Sequence, residues 1–184
     1  MTQLAFYFDP TRCTGCGTCA VACKDWNNVP AGPVSWRRIE TIEDGEFPNV
    51  RVRRLLRGCL HCARPTCIPT CPVGAITKRA DDGVVLVDRE RCLPNCYACL
   101  SACPHRAPQF GDDGRMQMCN FCPERLADGA KPVCVAACPM RALDAGPMDH
   151  LVRAYGNGHW TEGYPDAART SPSVIIAPEH PGSD

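Results

Sequence analysis

An α+β fold, made of short helices and short strand pairs, is predicted by three features of the 184-residue sequence. Sixteen cysteines fall into four quartets with none left over. Eighteen prolines and fifteen glycines break the chain into brief elements. With the cysteines set aside, aliphatic and aromatic residues make up only about a third of the chain, lean for a globular core. Such a chain requires covalent or metal cross-links to hold one structure, and stripped of them it is expected not to fold.

The quartets are Cys13, Cys16, Cys19 and Cys23; Cys59, Cys62, Cys67 and Cys71; Cys92, Cys96, Cys99 and Cys103; and Cys119, Cys122, Cys134 and Cys138. A disulfide framework fits poorly, because the spacing is regular and cysteines two residues apart rarely have bridging geometry. Zinc fits poorly as well. Zinc sites usually pair two C-x-x-C units a dozen or more residues apart, whereas the first quartet packs four cysteines into eleven residues. Only the fourth quartet resembles a zinc ribbon, and only in isolation. Iron–sulfur ligation explains the whole series. In the bacterial ferredoxin run C-x2-C-x2-C-x3-C-P, the fourth cysteine ligates the other cluster, so quartets work in pairs. All four quartets end in the three-residue gap, and Pro72, Pro104 and Pro139 follow three of them. The first quartet instead continues helically through Lys24 to Trp26. All sixteen cysteines are therefore candidate ligands, together sufficient for four [4Fe-4S] clusters, and the chain is expected to carry electrons.

The elements follow in order. Leu4–Asp9 reads as an opening strand. Residues 27–54 read as an inserted β-hairpin: Ser35–Glu40, a turn at Glu43-Asp44-Gly45, then Asn49–Leu55. Its arginine run is either a solvated face or a docking surface for an acidic partner. Residues 55–103 hold the second and third quartets around a hairpin of Ala75–Thr77 and Val84–Val87, turning at Asp81-Asp82-Gly83. They make up a central two-cluster, bacterial-ferredoxin-like unit. Residues 1–26 and 104–146 carry the first and fourth quartets and form a second, outer unit, with a turn between Phe110 and Met118 and a closing strand at Arg141–Asp144. Residues 147–184 are a tail whose apolar run Val174–Ala177 reads as a strand that must pair with something. Deleting this tail is expected to cost a subunit its partner but to leave a free carrier intact.

Twenty basic and twenty acidic residues give a formal net charge of zero, and nothing suggests nucleic-acid binding. Each bound cubane adds about −2 when oxidised, so basic residues near the quartets have a neutralising role. No stretch approaches a transmembrane helix and the N-terminus lacks a signal-peptide pattern, so direct membrane insertion is not expected. The compartment is left open. His61 and His105 lie beside cysteines, but with complete quartets they read as groups around the ligands or at the surface. Trp26, Trp36 and Trp160 read as packing or interface residues. No catalytic residue set is apparent, so the protein alone is expected not to be an enzyme.

The stretches FYFDPTRCTGCGTCAVACKDWNN, SWRRIE, CLHCARPTCIPTCPVGAITKRADDGVVLVD, CPHRAPQF, KPVCVAACPMRALDAGP and VIIAP cover almost every segment. In them the chain resembles the four-cluster electron-transfer (beta) subunit of the dimethyl sulfoxide reductase family of molybdopterin oxidoreductases, which shares the missing proline after Cys23. The resemblance implies crossed ligation: Cys13, Cys16 and Cys19 with Cys138; Cys119, Cys122 and Cys134 with Cys23; Cys59, Cys62 and Cys67 with Cys103; Cys92, Cys96 and Cys99 with Cys71. It implies a wire of four clusters. One end meets a large catalytic subunit bearing a molybdenum or tungsten bis-pterin; the other meets a quinone-linked membrane anchor or another carrier. A free-standing polyferredoxin, or a subunit of a hydrogenase or formate-oxidising complex, are the alternatives. One departure stands out: Leu93-Pro94-Asn95 puts three residues between Cys92 and Cys96 where the family usually has two. The extra residue must bulge, or Cys96 ligates imperfectly.

Overall fold

Strand β1 (Leu4–Phe8) is buried on both faces and organises the molecule. The computed structural model describes residues 2–158, 160 and 162–179. In it β1 is the middle of a three-stranded sheet, between β8 (Leu143–Pro147) and β9 (Val174–Ile176). The β8 pairing is antiparallel, with Phe6 opposite Ala145; the β9 pairing is parallel, with Phe6 opposite Val174. Alternation along the strand sends Phe6 and Phe8 into the main core among the cysteines. Ala5 and Tyr7 face the other way, onto Leu151 of helix α6 (Met148–Tyr155) and Ile175. A strand sandwiched in this way needs an uninterrupted apolar run, which Leu4–Phe8 supplies.

The expected tail strand therefore pairs within its own chain, on β1. Neighbouring tail residues brace the second quartet: Ala63 and Arg64 donate backbone N–H bonds to Ser171 and Thr170, at 2.7 and 2.9 Å, and Ser173 N–H donates to Leu60 at 2.9 Å.

Helix α1 (Thr18–Trp26) carries the end of the first quartet. Strands β2 (Arg37–Asp44) and β3 (Arg51–Gly58) form the antiparallel hairpin that follows. It is longer than its pattern suggests. Glu43 and Asp44, expected in the turn, are paired with Val52 and Arg51, and the reversal comes later. Gly45, at φ +88°, begins that reversal because a Cβ there would meet the Asn49 carbonyl at 2.4 Å. Beyond it lie α2 (Cys67–Thr70), the β4–β5 hairpin (Ile76–Lys78, Val85–Val87) and α3 (Ala98–Ala102). The β6–β7 pair (Gln109–Phe110, Met116–Gln117), α4 (Pro123–Ala127) and α5 (Val133–Ala136) complete the run to β8. Among the described residues, no helix is long and apolar enough to cross a membrane.

Candidate iron–sulfur sites

The cysteines converge from distant parts of the sequence. One cavity, of about 390 Å³ with its mouth included, is lined by Cys59, Cys62, Cys67 and Cys103 (site C). A second, of about 320 Å³, is lined by Cys13, Cys16, Cys19 and Cys138 (site A). A third, of about 300 Å³, is lined by Cys71, Cys92, Cys96 and Cys99 (site D). The remaining four meet as well: Cys23 lies among Cys119, Cys134 and Cys122 (site B). At sites A, C and D the sulfurs stand around a space, a donor set that fits a cubane.

Local geometry explains how each loop presents its sulfurs. In the first loop Gly15 and Gly17 adopt φ values of +74° and +76°. The left-handed φ at Gly15 is what calls for glycine there; the nearest atoms to a Cβ would belong to the Arg54 side chain, Nε at 2.7 Å. In the third quartet the extra residue is absorbed by a turn. Asn95 takes φ +59° and donates its backbone N–H to Gly114 at 2.8 Å. Asparagine tolerates this left-handed conformation better than most residues. Cys96 thereby still lines site D.

Backbone N–H groups point at several sulfurs. Ala75 donates to Cys71 Sγ at 3.2 Å, Ala142 to Cys138 Sγ at 3.3 Å and Met116 to Cys92 Sγ at 3.4 Å. Cys23 differs because α1 continues past it. The backbone N–H of Asn27 is occupied by the Cys23 carbonyl, at 3.3 Å. The Asn27 side-chain amide donates to the same carbonyl at 2.8 Å and also reaches Cys23 Sγ, at 3.7 Å.

The thiols resist ionisation in the absence of metal. Burial pushes Cys19, Cys99 and Cys122 up to about 11 and Cys67 up to about 12, with neighbouring cysteines adding to the effect. Burial likewise raises Cys23, Cys59 and Cys134. Cys71 goes the other way: burial opposes its thiolate, but the N–H groups of Ala75, Val73, Ile76 and Gly74 outweigh it. Metal insertion must therefore expel protons from most of these sulfurs.

Three residues near the sites escape sequence reasoning. Arg37, in the arginine-rich hairpin, is neither solvated nor at a docking surface; it is fully buried. Burial works against its charge, but Cys134, Cys119, Cys23 and Cys19 hold it protonated, above its ordinary value. Asn27 has no motif to announce it. Thr170, in the tail, lines site C and is within hydrogen-bond distance of buried His105, Oγ1 to Nε2 3.3 Å. Two other arginines of the run are ion-paired within the protein, Arg53 with Asp44 and Glu162 and Arg57 with Glu40, whereas Arg54 buries Nε and Nη1 without a hydrogen-bond partner.

His61 and His105 are both buried, not at the surface. Burial, with Arg37 and Lys78, lowers His61 to about 3. Its Nδ1 accepts the Val85 N–H at 3.1 Å, which leaves Nε2 as the protonated nitrogen of the neutral ring. Burial lowers His105 to about 4. The tryptophans pack: Trp36 donates to Gln117 Oε1 at 2.9 Å, Trp160 donates to the Pro165 carbonyl at 2.7 Å, and Arg125 lies over Trp26 at 5.1 Å.

Comparison with known proteins agrees with the chemistry of these loops. Residues 50–148 match the 4Fe-4S dicluster domain family, and residues 4–25 the 4Fe-4S binding domain family. The B polypeptide of the anaerobic dimethyl sulfoxide reductase of Escherichia coli (strain K12) is 41% identical over 186 residues, covering 96% of this sequence and 89% of the relative. The B polypeptide of the sulfite dehydrogenase of Allochromatium vinosum is 39% identical, covering 77% of this sequence and 68% of the relative. The formate dehydrogenase iron–sulfur subunit of Wolinella succinogenes is 38% identical, covering 81% and 84%. With ferredoxin-type 4Fe-4S domains and this identity over nearly its whole length, the protein belongs to the iron–sulfur electron-transfer subunits of the dimethyl sulfoxide reductase family.

Proposed function

We propose that this protein is the non-catalytic electron-transfer subunit of a molybdenum or tungsten bis-pterin oxidoreductase. It holds four [4Fe-4S] clusters and links the catalytic subunit to a quinone-linked membrane anchor or another carrier. The observation that carries this reading is the crossed lining of the cavities: sites A, C and D each draw three cysteines from one quartet and one from another. Site B follows the same rule through Cys23. The bound clusters supply one-electron redox centres. The protein's own residues set their order. Cys19 of site A lies within electrostatic reach of Cys134 of site B, Cys119 of site B within reach of Cys59 of site C, and Cys67 of site C within reach of Cys99 of site D. That succession supports a linear arrangement A–B–C–D. In this reading residues 1–26 and 104–146 form the outer unit and 55–103 the central one. Residues 27–54 are an insert, and 147–184 contribute to the partner-facing surface.

Purification of the native complex tests this. Iron and acid-labile sulfide are expected at about sixteen atoms each per copy of the protein, with a much larger pterin-containing subunit copurifying. A monomer that retains full physiological activity would sink the subunit assignment. Cys138→Ser is expected to alter the paramagnetic resonance signal of the site A cluster; an unchanged signal would mean that the crossed ligation is wrong. The likeness to the formate dehydrogenase subunit favours a formate-oxidising complex as the second reading. The substrate of the copurifying large subunit separates the two.

A further inference from the structure

Arg37 sits at the start of β2 with none of its surface exposed. Its Nη2 is 3.9 Å from Cys119 Sγ, and its guanidinium lies over the Phe6 ring at 4.2 Å. Nε and Nη1 have no hydrogen-bond partner. Among the described residues no carboxylate pairs with it, whereas Arg53 and Arg57 of the same hairpin are both ion-paired. A buried, unpaired guanidinium is strongly disfavoured unless a counter-charge is supplied. The negative groups around it are the sulfurs of Cys134, Cys119, Cys23 and Cys19, which belong to sites A and B.

We propose that Arg37 is a positioning charge that raises the redox potentials of the clusters at sites A and B above those they would have without it. The inference rests on the four-cluster reading. Reduction adds one electron to a cluster and moves no proton to or from the guanidinium, which stays charged throughout. A fixed positive charge a few ångströms away stabilises the reduced form more than the oxidised form. The effect falls with distance, so the wire is biased towards its A–B end. The hairpin is then more than an insert on the surface, because its first strand delivers the charge.

The test is a redox titration of the holo-complex followed by electron paramagnetic resonance, with iron counted in the same samples. In Arg37→Gln with full iron, the oxidised-to-reduced ratio of the A and B clusters at fixed potential is expected to rise about tenfold. That corresponds to a fall of about 59 mV for a one-electron couple, with the C and D clusters moving much less. Arg37→Lys should recover most of the shift. Unchanged potentials at full iron, or an equal shift at all four sites, would overturn the proposal. If Arg37→Gln fails to assemble, wild-type complex labelled with ¹⁵N in arginine side chains decides. A side-chain ¹⁵N coupling to the cluster bound by Cys119 is expected in pulsed resonance, and its absence overturns the proposal. Wild-type iron far below sixteen atoms would instead overturn the four-cluster reading itself.

Discussion

Asn27 gives Cys23 through its side chain what Ala75 and Ala142 give Cys71 and Cys138 through their backbone: an N–H directed at sulfur, at 3.7 Å against 3.2 and 3.3 Å. The difference follows from Lys24 standing where the other three quartets have proline. Without the break the helix runs on, and its backbone N–H groups are spent on helical carbonyls. Asn27→Leu is therefore expected to lower the potential of the site B cluster and to cost about 1 kcal/mol of stability. Redox titration and thermal unfolding of the holoprotein check both; an unmoved site B potential would assign Asn27 only to its bond with the Cys23 carbonyl.

Site D depends on a left-handed residue in its widened loop. Asn95→Gly should be tolerated, since glycine adopts φ +59° freely. Asn95→Val should cost about 1–2 kcal/mol and broaden the resonance signal of the site D cluster alone. Equal stability of the two variants would mean that the turn relaxes elsewhere.

The tail is expected to be inseparable from cluster retention. Removing residues 170–184 takes away β9, the Thr170 wall of site C and the Ser173 hydroxyl that donates to the His61 carbonyl at 2.8 Å. The truncated protein should contain fewer irons than the full one, with site C affected first. Full iron content combined with loss of the large subunit would instead make the tail purely a docking element. The simple truncation experiment suggested by the sequence thus cannot separate a subunit from a free carrier.

Acid should destabilise the holoprotein through the histidines. The folded values of about 3 for His61 and about 4 for His105 lie below the ordinary 6.5. Above 6.5 both states are neutral and the histidines contribute nothing to pH dependence. Below it the unfolded protein takes up protons that the folded one refuses, so stability falls as pH drops towards the folded values. His105→Gln should flatten part of that slope between about 6.5 and about 4 in chemical-denaturation midpoints, provided that the variant retains its iron. An unchanged slope would remove His105 from the account.

Chelation of iron under reducing conditions should unfold the protein and not leave an empty scaffold. The cavities at sites A, C and D would collapse or flood, and Arg37 would lose the charges around it. Loss of near-ultraviolet circular dichroism together with loss of iron is the expected result. A folded, iron-free protein would show that side-chain packing alone suffices.

Most strands are legible in the sequence because their local patterns agree with their final burial. Leu4–Phe8 is continuously apolar and becomes the central strand; Val84–Val87 flanks an Asp-Gly turn and becomes β5. The β2–β3 turn is not, because Glu43-Asp44-Gly45 has turn composition while cross-strand pairing carries Glu43 and Asp44 on as strand. The arginine run is ambiguous for a related reason. Strand alternation says which residues share a face, not what covers that face, and Arg37 is covered by sulfurs from two distant quartets, the first and the fourth.

Residue identity and short spacing suffice for the donor atoms, their grouping into quartets, the poverty of the apolar core and the family. Without the family resemblance, which implies the crossed pairing, they do not suffice for which distant cysteines share a cavity. Nor do they reveal that the tail closes the sheet on β1 and walls site C, or that one arginine of the hairpin is buried between sites A and B. Those features come from the tertiary structure, through contacts between residues as far apart as Cys13 and Cys138, or Phe6 and Val174. Local propensity has no term for such contacts; they form only where the whole protein can bury its apolar surface and surround its sulfurs at once.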